Sequence, residues 1–199
     1  MENREIVTSE ELKEICYNLG IKYESAIRHL VPRGHLTRIF RGIFYVPTSD
    51  EALTKRQTHS HLELVSKGLE AKGVENWYFG LYTALKMNNM THEHYAIEHV
   101  INDKIQRANP MNIAGYSFKF VKVKPLLLEF GIIDKNLRHS DPEKTILDFI
   151  YLWRYNGMPA QRITLNVKEW TTNADEEKLR KYSRNYPKTV ETMLEDILQ

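Results

Sequence analysis

Two short helical patterns followed by a basic hairpin, all within residues 8–47, constrain the fold of this chain more than any other feature. Thr8 and Glu11 have the spacing of a capping box, which predicts a helix from Ser9 to about Leu19. One face of that helix carries the apolar residues Leu12, Ile15, Cys16 and Leu19. Gly20 is well placed as the C-terminal cap, because glycine adopts the left-handed conformation without steric cost.

The next residues predict a second helix and a hairpin. The helix is expected from Tyr23 to Val31, with Ala26, Ile27 and Leu30 facing inward. Residues 36–39 and 43–46 are rich in β-branched and aromatic residues and predict two strands, joined by a turn at Arg41-Gly42. Two helices joined by a tight turn and followed by a basic hairpin predict a winged helix-turn-helix.

The charge of the chain is concentrated in this module. The whole chain has 28 Lys+Arg and 26 Asp+Glu, a net charge of 28 − 26 = +2. Residues 1–19 sum to −3, residues 20–41 sum to 5 − 1 = +4, and the remainder is close to neutral. A local positive patch is typical of phosphate binding, although a solvated face with no partner has the same composition.

The helix-turn-helix interpretation assigns roles to individual residues. The second helix of such a module enters the major groove with its N-terminal residues towards the base edges. Arg28 suits a bidentate contact to guanine, and the other cations suit phosphate or minor-groove contacts. The predicted DNA-binding residues are Lys22, Tyr23, Ser25, Arg28, His29, Arg33, Arg38 and Arg41. Since a fold does not determine a function, a winged helix that contacts protein instead stays open as an alternative.

The remainder of the chain predicts a second, larger domain. Residues 48–57 are polar and indicate a linker or the start of a connecting helix, which gives a DNA-binding domain over 1–57 and a mixed α/β domain over 58–199. We expect strands near 95–101 and 117–124, the latter with a bulge at Phe120-Val121. Asp141 and Pro142 predict the start of a central, mostly apolar helix, and two helices near 175–185 and 187–198 close the chain. The predicted fold class is α+β.

Two groups of side chains in the second domain could carry chemistry. His92, His94 and His99 lie close together, but the chain has neither an H-E-x-x-H motif nor cysteine pairs, so we expect no metal site. The other group is the carboxylates Asp141, Glu143 and Asp148. Magnesium-dependent nucleotidyl transfer would need such a group, although helix capping accounts for the first two. The main prediction is therefore no active site and no cofactor. The alternative is a metal-dependent enzyme that processes nucleic acids or nucleotides and is targeted by the winged helix.

Two apolar segments suggest binding surfaces. The aromatic residues Trp77, Tyr78, Phe79 and Tyr82 could stack on single-stranded nucleic acid, but core packing is the favoured interpretation. The apolar stripe over Val190–Leu198 could bind another protein.

The single Cys16 excludes an intramolecular disulfide bond and favours a reducing compartment. No apolar run reaches the roughly 20 residues that a membrane span needs, and the first residues are charged where a signal peptide would be apolar. We expect a cytoplasmic protein without membrane contact.

Three separated stretches resemble AbiEi-type antitoxins of type IV toxin–antitoxin systems. They are HLVPRGHLTRIFRGIFYVP, WYFGLYTALKMNNM and SDPEKTILDFIYL, in the order of that family. The resemblance implies an N-terminal winged helix that binds inverted repeats in its own promoter and represses the operon. It also implies a C-terminal domain that counters a nucleotidyltransferase toxin without forming a stable complex with it. A charge of +4 provides few phosphate contacts per monomer, which favours cooperative binding of two copies.

Overall fold

The structure is a computed structural model that describes residues 5–54 and 56–199. Helices and strands are both well represented, so the chain has the mixed α and β content of the predicted class. It divides into two compact units. The first runs to Glu75 and includes Met111–Tyr116, and the second comprises Asn76–Pro110 and Ser117–Gln199.

The first unit combines a small sheet with short helices. Its strands and helices in chain order are β1 (Ile6–Thr8), α1 (Ser9–Asn18), α2 (Tyr23–Leu30), β2 (Thr37–Phe40), β3 (Ile43–Tyr45), α3 (Ser49–Thr54) and α4 (His61–Ala71), with β6 (Met111–Ile113) added from later in the chain. β3 lies between β1 and β2 and pairs antiparallel with both. The hairpin was predicted from the sequence, but β1 was not, because a strand of three residues is too short to show an alternating pattern.

The predicted capping signals are present at both ends of α1. The Thr8 hydroxyl accepts from the Glu11 amide at 3.3 Å, and the Glu11 carboxylate accepts from the Thr8 amide at 2.8 Å. Gly20 has φ +66° and Gly42 has φ +79°, the left-handed conformations that the two turns require. A Cβ atom on Gly42 would also lie 2.8 Å from the Ser9 hydroxyl oxygen, so the hairpin turn packs closely against the start of α1.

The predicted apolar face of α1 is only partly buried. Cys16 is buried and Leu12 packs against the small core formed by Val7, Leu36 and Phe44. Ile15 and Leu19, expected on the same face, are 51% and 65% exposed. Periodicity identifies the residues that share a face of a helix, but it does not show how much of that face another element covers.

The first unit extends beyond the predicted boundary at residues 57–58, because α4 packs against its sheet. The Lys67 ammonium lies 2.7 Å from the Glu5 carboxylate. A Cβ atom on Gly68 would lie 2.5 Å from Ile39, so this glycine lets α4 approach β2 closely. Residues 48–57, interpreted as a linker or the start of a connecting helix, include the short helix α3, and the boundary between the units lies after Glu75.

The second unit packs helices against a mixed sheet. Its strands are β4 (Trp77–Phe79), β5 (Ile97–Asn102), β7 (Tyr116–Lys122), β8 (Ile132–Ile133) and β9 (His139–Ser140). Its helices are α5 (Leu81–Met87), α6 (Pro142–Tyr155), α7 (Ala160–Thr171), α8 (Glu176–Ser183) and α9 (Lys188–Leu198), with a 3-10 turn at Pro125–Leu128. The strand order within the unit is β7-β5-β4-β9-β8. The bulge predicted at Phe120-Val121 is absent, because β5 and β7 pair in parallel without a register shift from Ile97↔Ser117 to Asn102↔Lys122.

The central helix α6 begins as predicted. The Asp141 carboxylate accepts from the Lys144 amide at 2.8 Å, and Pro142 occupies the first turn. Residues 143–150 are all buried, which places α6 at the centre of the core. The stripe on α9 packs into the same core, with Val190, Met193, Leu194 and Ile197 buried, so the predicted protein-binding role of this stripe loses its basis.

Within the described ranges, no helix is both long and apolar enough to cross a membrane.

Candidate nucleic-acid interface

The solvent side of α2 carries most of the residues predicted to contact DNA. Ile27 and Leu30 pack towards Val7 and Phe44, which turns the opposite face of the helix outwards. On that face Ser25, Arg28 and His29 are exposed. Lys22 is exposed at the N-cap and makes no capping hydrogen bond through its side chain. Lys22 and Ser25 lie at the N-terminal end of α2, which a recognition helix directs towards base edges, whereas Arg28 and His29 lie in its last turn.

Tyr23 is less available than its neighbours. It is half-buried, and the Lys13 ammonium lies 5.6 Å from its ring centroid. A cation at this distance from a ring fixes the orientation of both side chains. Tyr23 is therefore better suited to supporting the start of α2 than to reaching a base.

Arg33 and His29 form a pair at the C-terminal end of α2. The Arg33 guanidinium donates to His29 Nδ1 at 2.7 Å, with a longer contact of 3.4 Å to the His29 carbonyl oxygen. Because arginine only donates, this contact requires a neutral His29 whose Nδ1 carries the lone pair. The pair holds the Arg33 guanidinium near the C-terminal end of α2 without neutralising its charge.

The hairpin contributes two further cations. Arg41 is exposed in the β2–β3 turn, next to Gly42. Arg38 is exposed on β2, and its guanidinium carbon lies 5.4 Å from the ring centroid of the buried Phe44. Stacking on an aromatic face restrains a guanidinium while leaving its N–H donors free for phosphate oxygens.

The electrostatic character of this surface follows from the absence of anionic partners. Within residues 5–54 and 56–199, none of its cations forms an ion pair with a carboxylate: Lys22, Arg28, Arg33, Arg38 and Arg41. Exposed cations without local partners project a positive field into solvent, which is the property that attracts a phosphate backbone.

Among the described residues of the first unit, Glu51 is the buried carboxylate, and it lies away from these cations with its oxygens hydrogen-bonded. Burial raises the pKa of Glu51, but hydrogen bonds from the Tyr45 hydroxyl at 2.5 Å and the amides of Thr58 and Thr48 outweigh this effect and lower it to about 2. The same contact and burial raise the pKa of Tyr45. Glu51 therefore links α3 to β3 and does not reduce the charge of the candidate surface.

His92, His94 and His99 of the second unit do not converge. His92 and His94 are exposed before β5 begins, whereas His99 lies within that strand. In the part of the chain that the structure describes, no group of three His, Cys, Asp or Glu side chains could hold a metal ion. His99 Nδ1 is buried without a hydrogen-bond partner, and burial lowers the pKa of His99 to about 4.

The carboxylates at the start of α6 are held by cations of the same unit. Asp141 and Glu143 lie 3.0 Å and 2.7 Å from the Lys178 ammonium, and these contacts raise the pKa of Lys178 although burial opposes the shift. Asp148 accepts from the hydroxyls of Tyr78 and Tyr186, both at 2.7 Å, and from the Lys144 ammonium at 3.3 Å. Protein donors thus occupy the carboxylates that the enzyme alternative needs for magnesium.

The aromatic segment at β4 packs as the favoured interpretation expected. Trp77, Tyr78 and Phe79 are buried, and only Tyr82 is half-buried. Tyr82 lines a cavity of about 650 Å³, together with Tyr95, Trp153 and Trp170. This cavity was not predicted from the sequence, because one of its walls is the helix α7, which was not predicted either. The spacing of Ile163 and Val167 was the available signal, but Pro159 at the N-cap provides no capping side chain.

The comparisons with known proteins bear on the fold. The sequence matches no protein-family model, and it matches no curated protein. Among solved structures, the chain is similar to the crystal structure of the Rv2827c protein from Mycobacterium tuberculosis, with a TM-score of 0.60 and 16% sequence identity. The match covers 99% of this chain and 72% of that one. At this identity the likeness concerns the fold alone.

Proposed function

We propose that the protein is a sequence-specific DNA-binding antitoxin that represses its own operon and counters a nucleotidyltransferase toxin. In this proposal the first unit is a winged helix-turn-helix, with α2 as the recognition helix and the β2–β3 hairpin as the wing. The cations of α2 and the hairpin carry the proposal, because they are exposed, grouped on a small unit and not paired with described carboxylates. The resemblance of three sequence stretches to AbiEi-type antitoxins supports the proposal that the operon encodes a type IV toxin–antitoxin system.

The two arginines are expected to act differently. Arg28 lies on the face of α2 and is assigned a base contact, whereas Arg41 lies in the hairpin turn and is assigned a phosphate or minor-groove contact. Arg28→Ala should cost about 1–3 kcal/mol at one base position and relax sequence preference there. Arg41→Ala should weaken binding to all sequences and reduce the slope of log affinity against log salt by about 1.

A gel-shift titration against the DNA upstream of the gene measures both effects. Arg154→Ala is the matched control, because Arg154 is an exposed arginine of the second unit. We expect a retarded band at low salt. The control variant Arg154→Ala should keep this band, and Arg28→Ala and Arg41→Ala should weaken it. No retarded band at low salt, or equal loss in all three variants, contradicts the DNA-binding proposal.

The antitoxin part is tested separately by co-expression. The product of the neighbouring reading frame should be a nucleotidyltransferase that arrests growth, and this chain should restore growth without co-purifying with it. A neighbouring gene of another class, or no rescue, contradicts the antitoxin assignment and leaves the DNA-binding measurements valid.

A further inference from the structure

We propose that the aromatic cavity of the second unit is a binding site for an organic cation, a guanidinium or alkylammonium group. The cavity lies between the loop that follows α5 and the helix pair α6–α7. Its volume of about 650 Å³ is within the range of small-molecule sites. This inference concerns the second unit alone and does not depend on the proposed DNA contact.

The walls of the cavity are unusually aromatic. Trp153 and Trp170 have ring centroids 6.1 Å apart, and each packs 4.8 Å from the buried ring of Phe149. On the other wall, the rings of Tyr82 and Tyr95 are 4.3 Å apart. The ring of Tyr82 also lies 4.9 Å from that of Phe149. Contacts with Phe149 therefore hold the rings of Tyr82, Trp153 and Trp170 in place without a ligand. Indole and phenol faces attract cations through the ring quadrupole.

The charges in the lining favour the same class of ligand. Glu93 and Glu169 are the two carboxylates of the lining, and Arg162 is its one Lys or Arg side chain, so the lining sums to 1 − 2 = −1 with His92 neutral. The Tyr95 hydroxyl donates to Glu93 at 2.6 Å, which fixes that carboxylate on the tyrosine wall. Burial raises the pKa of Tyr82, and the charge of Glu93 adds to the shift, so the negative potential reaches the tyrosine ring.

Glu169 occupies the central position. A second cavity of about 260 Å³ adjoins the first and shares Asn89, Met90, Glu169 and Trp170 with it. Glu169 is exposed, and the described part of the chain provides it with no hydrogen bond or ion pair. Its carboxylate thus lines the same cavity as Trp153 and Trp170, and a cation bound there could be attracted by both the charge and the rings.

Arg162 determines the orientation that we expect for a ligand in the cavity. It lies seven residues before Glu169 on α7, about 10 Å away along the helix axis at 1.5 Å per residue. A ligand with its cationic group at Glu169 would place a carbonyl or other acceptor towards Arg162. An anionic nucleotide would bring its phosphate into a lining with excess negative charge, so the charges disfavour it relative to a cation.

The test uses the full chain and its intrinsic tryptophan fluorescence, since Trp153 and Trp170 line the cavity. The titrants are agmatine as a free amine, the peptide acetyl-Gly-Arg-Gly-amide as a protein-borne guanidinium, and AMP as an anionic aromatic compound. We expect saturable quenching by at least one cation and about fivefold weaker binding by Glu169→Gln. The matched control Glu177→Gln should bind as the parent does, because Glu177 is an exposed glutamate of α8 that does not line the cavity.

The titrants also distinguish the source of the cation. Tighter binding of the peptide indicates a basic side chain of a partner protein, and equal or tighter binding of agmatine indicates a free amine. Any of three results overturns the proposal. They are the lack of a saturable signal with either cation, tighter binding of AMP than of the cations, and equal affinities of the Glu169→Gln and Glu177→Gln variants. Circular dichroism of both variants checks that the fold is retained.

Discussion

Arg28, Arg38 and Arg41 of the first unit are exposed and have no carboxylate partner among the described residues, whereas Lys144 of the second unit is fully buried and held by Asp148 and the Tyr186 hydroxyl group. The two arrangements have opposite consequences. An exposed, unpaired arginine contributes little to the free energy of folding, and its positive field extends into solvent, where it can attract a ligand. A buried pair is satisfied internally, and losing one partner leaves an uncompensated charge in the core. Charge in one unit is therefore suited to recognition, and in the other it stabilises structure.

The largest effect is expected at the buried pair. Lys144 is fully buried, its pKa is lowered by burial against the opposing effect of Asp148, and its ammonium also contacts the Tyr186 hydroxyl at 3.1 Å. Lys144→Met should lower the free energy of unfolding by about 3–5 kcal/mol, because it leaves Asp148 charged and buried. Urea unfolding followed by tryptophan fluorescence measures this loss. Adding Asp148→Leu should recover part of it, and full additivity of the two changes would show that the pair is not coupled.

A smaller effect is expected at Glu51, a buried carboxylate of the first unit. It tests whether buried charge stabilises the first unit as it does the second. Glu51→Gln keeps the shape but weakens three hydrogen bonds to a charged group, so we expect a loss of about 2 kcal/mol. The parent protein should lose the Glu51 contribution as the pH falls from about 4.5 towards 2, because the folded-state pKa is the lower one. Hydrogen exchange of the β3 amides at pH 5 and pH 3 measures this loss. A Gln variant with the same pH dependence as the parent contradicts the assignment.

His99 should make the second unit sensitive to mild acid. Its folded-state pKa of about 4 lies below the ordinary value of 6.5, so the unfolded chain binds more protons between these values. Stability is expected to fall by roughly 2 kcal/mol between pH 7 and pH 4 from this residue alone. His99→Leu should remove this component of the slope in urea unfolding, whereas the exposed His94→Leu should retain it.

The smallest effect is expected at the exposed cations. Arg28→Ala and Arg41→Ala should change the free energy of unfolding by less than about 0.5 kcal/mol, because neither side chain is paired with a described carboxylate. Thermal unfolding measures this directly. A loss above 1 kcal/mol would assign these residues to the folding of the first unit and weaken the contrast with Lys144.

Local signals explain which parts of the fold the sequence could predict. Thr8 with Glu11 and Asp141 with Pro142 start their helices through contacts within three residues, so both starts were predicted and are confirmed. α7 has no such start signal, and the two-residue strands β8 and β9 are too short for any periodicity. These elements depend on tertiary packing, which one sequence does not reveal.

The candidate sites also differ in how far the sequence could predict them. The exposure of Arg28 follows from helical periodicity once Ile27 and Leu30 are assigned to the core, so sequence reasoning could identify it. Besides Asp148 on the same helix, Lys144 contacts Tyr186, 42 residues away, and the aromatic cavity joins segments from Tyr82 to Trp170. Such long-range groups follow from topology rather than from residue spacing.

The buried Cys16 gives access to the kinetics of the first unit. It is the one cysteine of the chain, and its thiol lies on the inner side of α1. A thiol reagent can modify it only when α1 detaches, so the labelling rate at high reagent concentration equals the opening rate of that helix. Since α1 packs against α2, the proposed binding of a DNA duplex to α2 should slow the labelling. This rate can be followed by mass spectrometry without any amino-acid substitution.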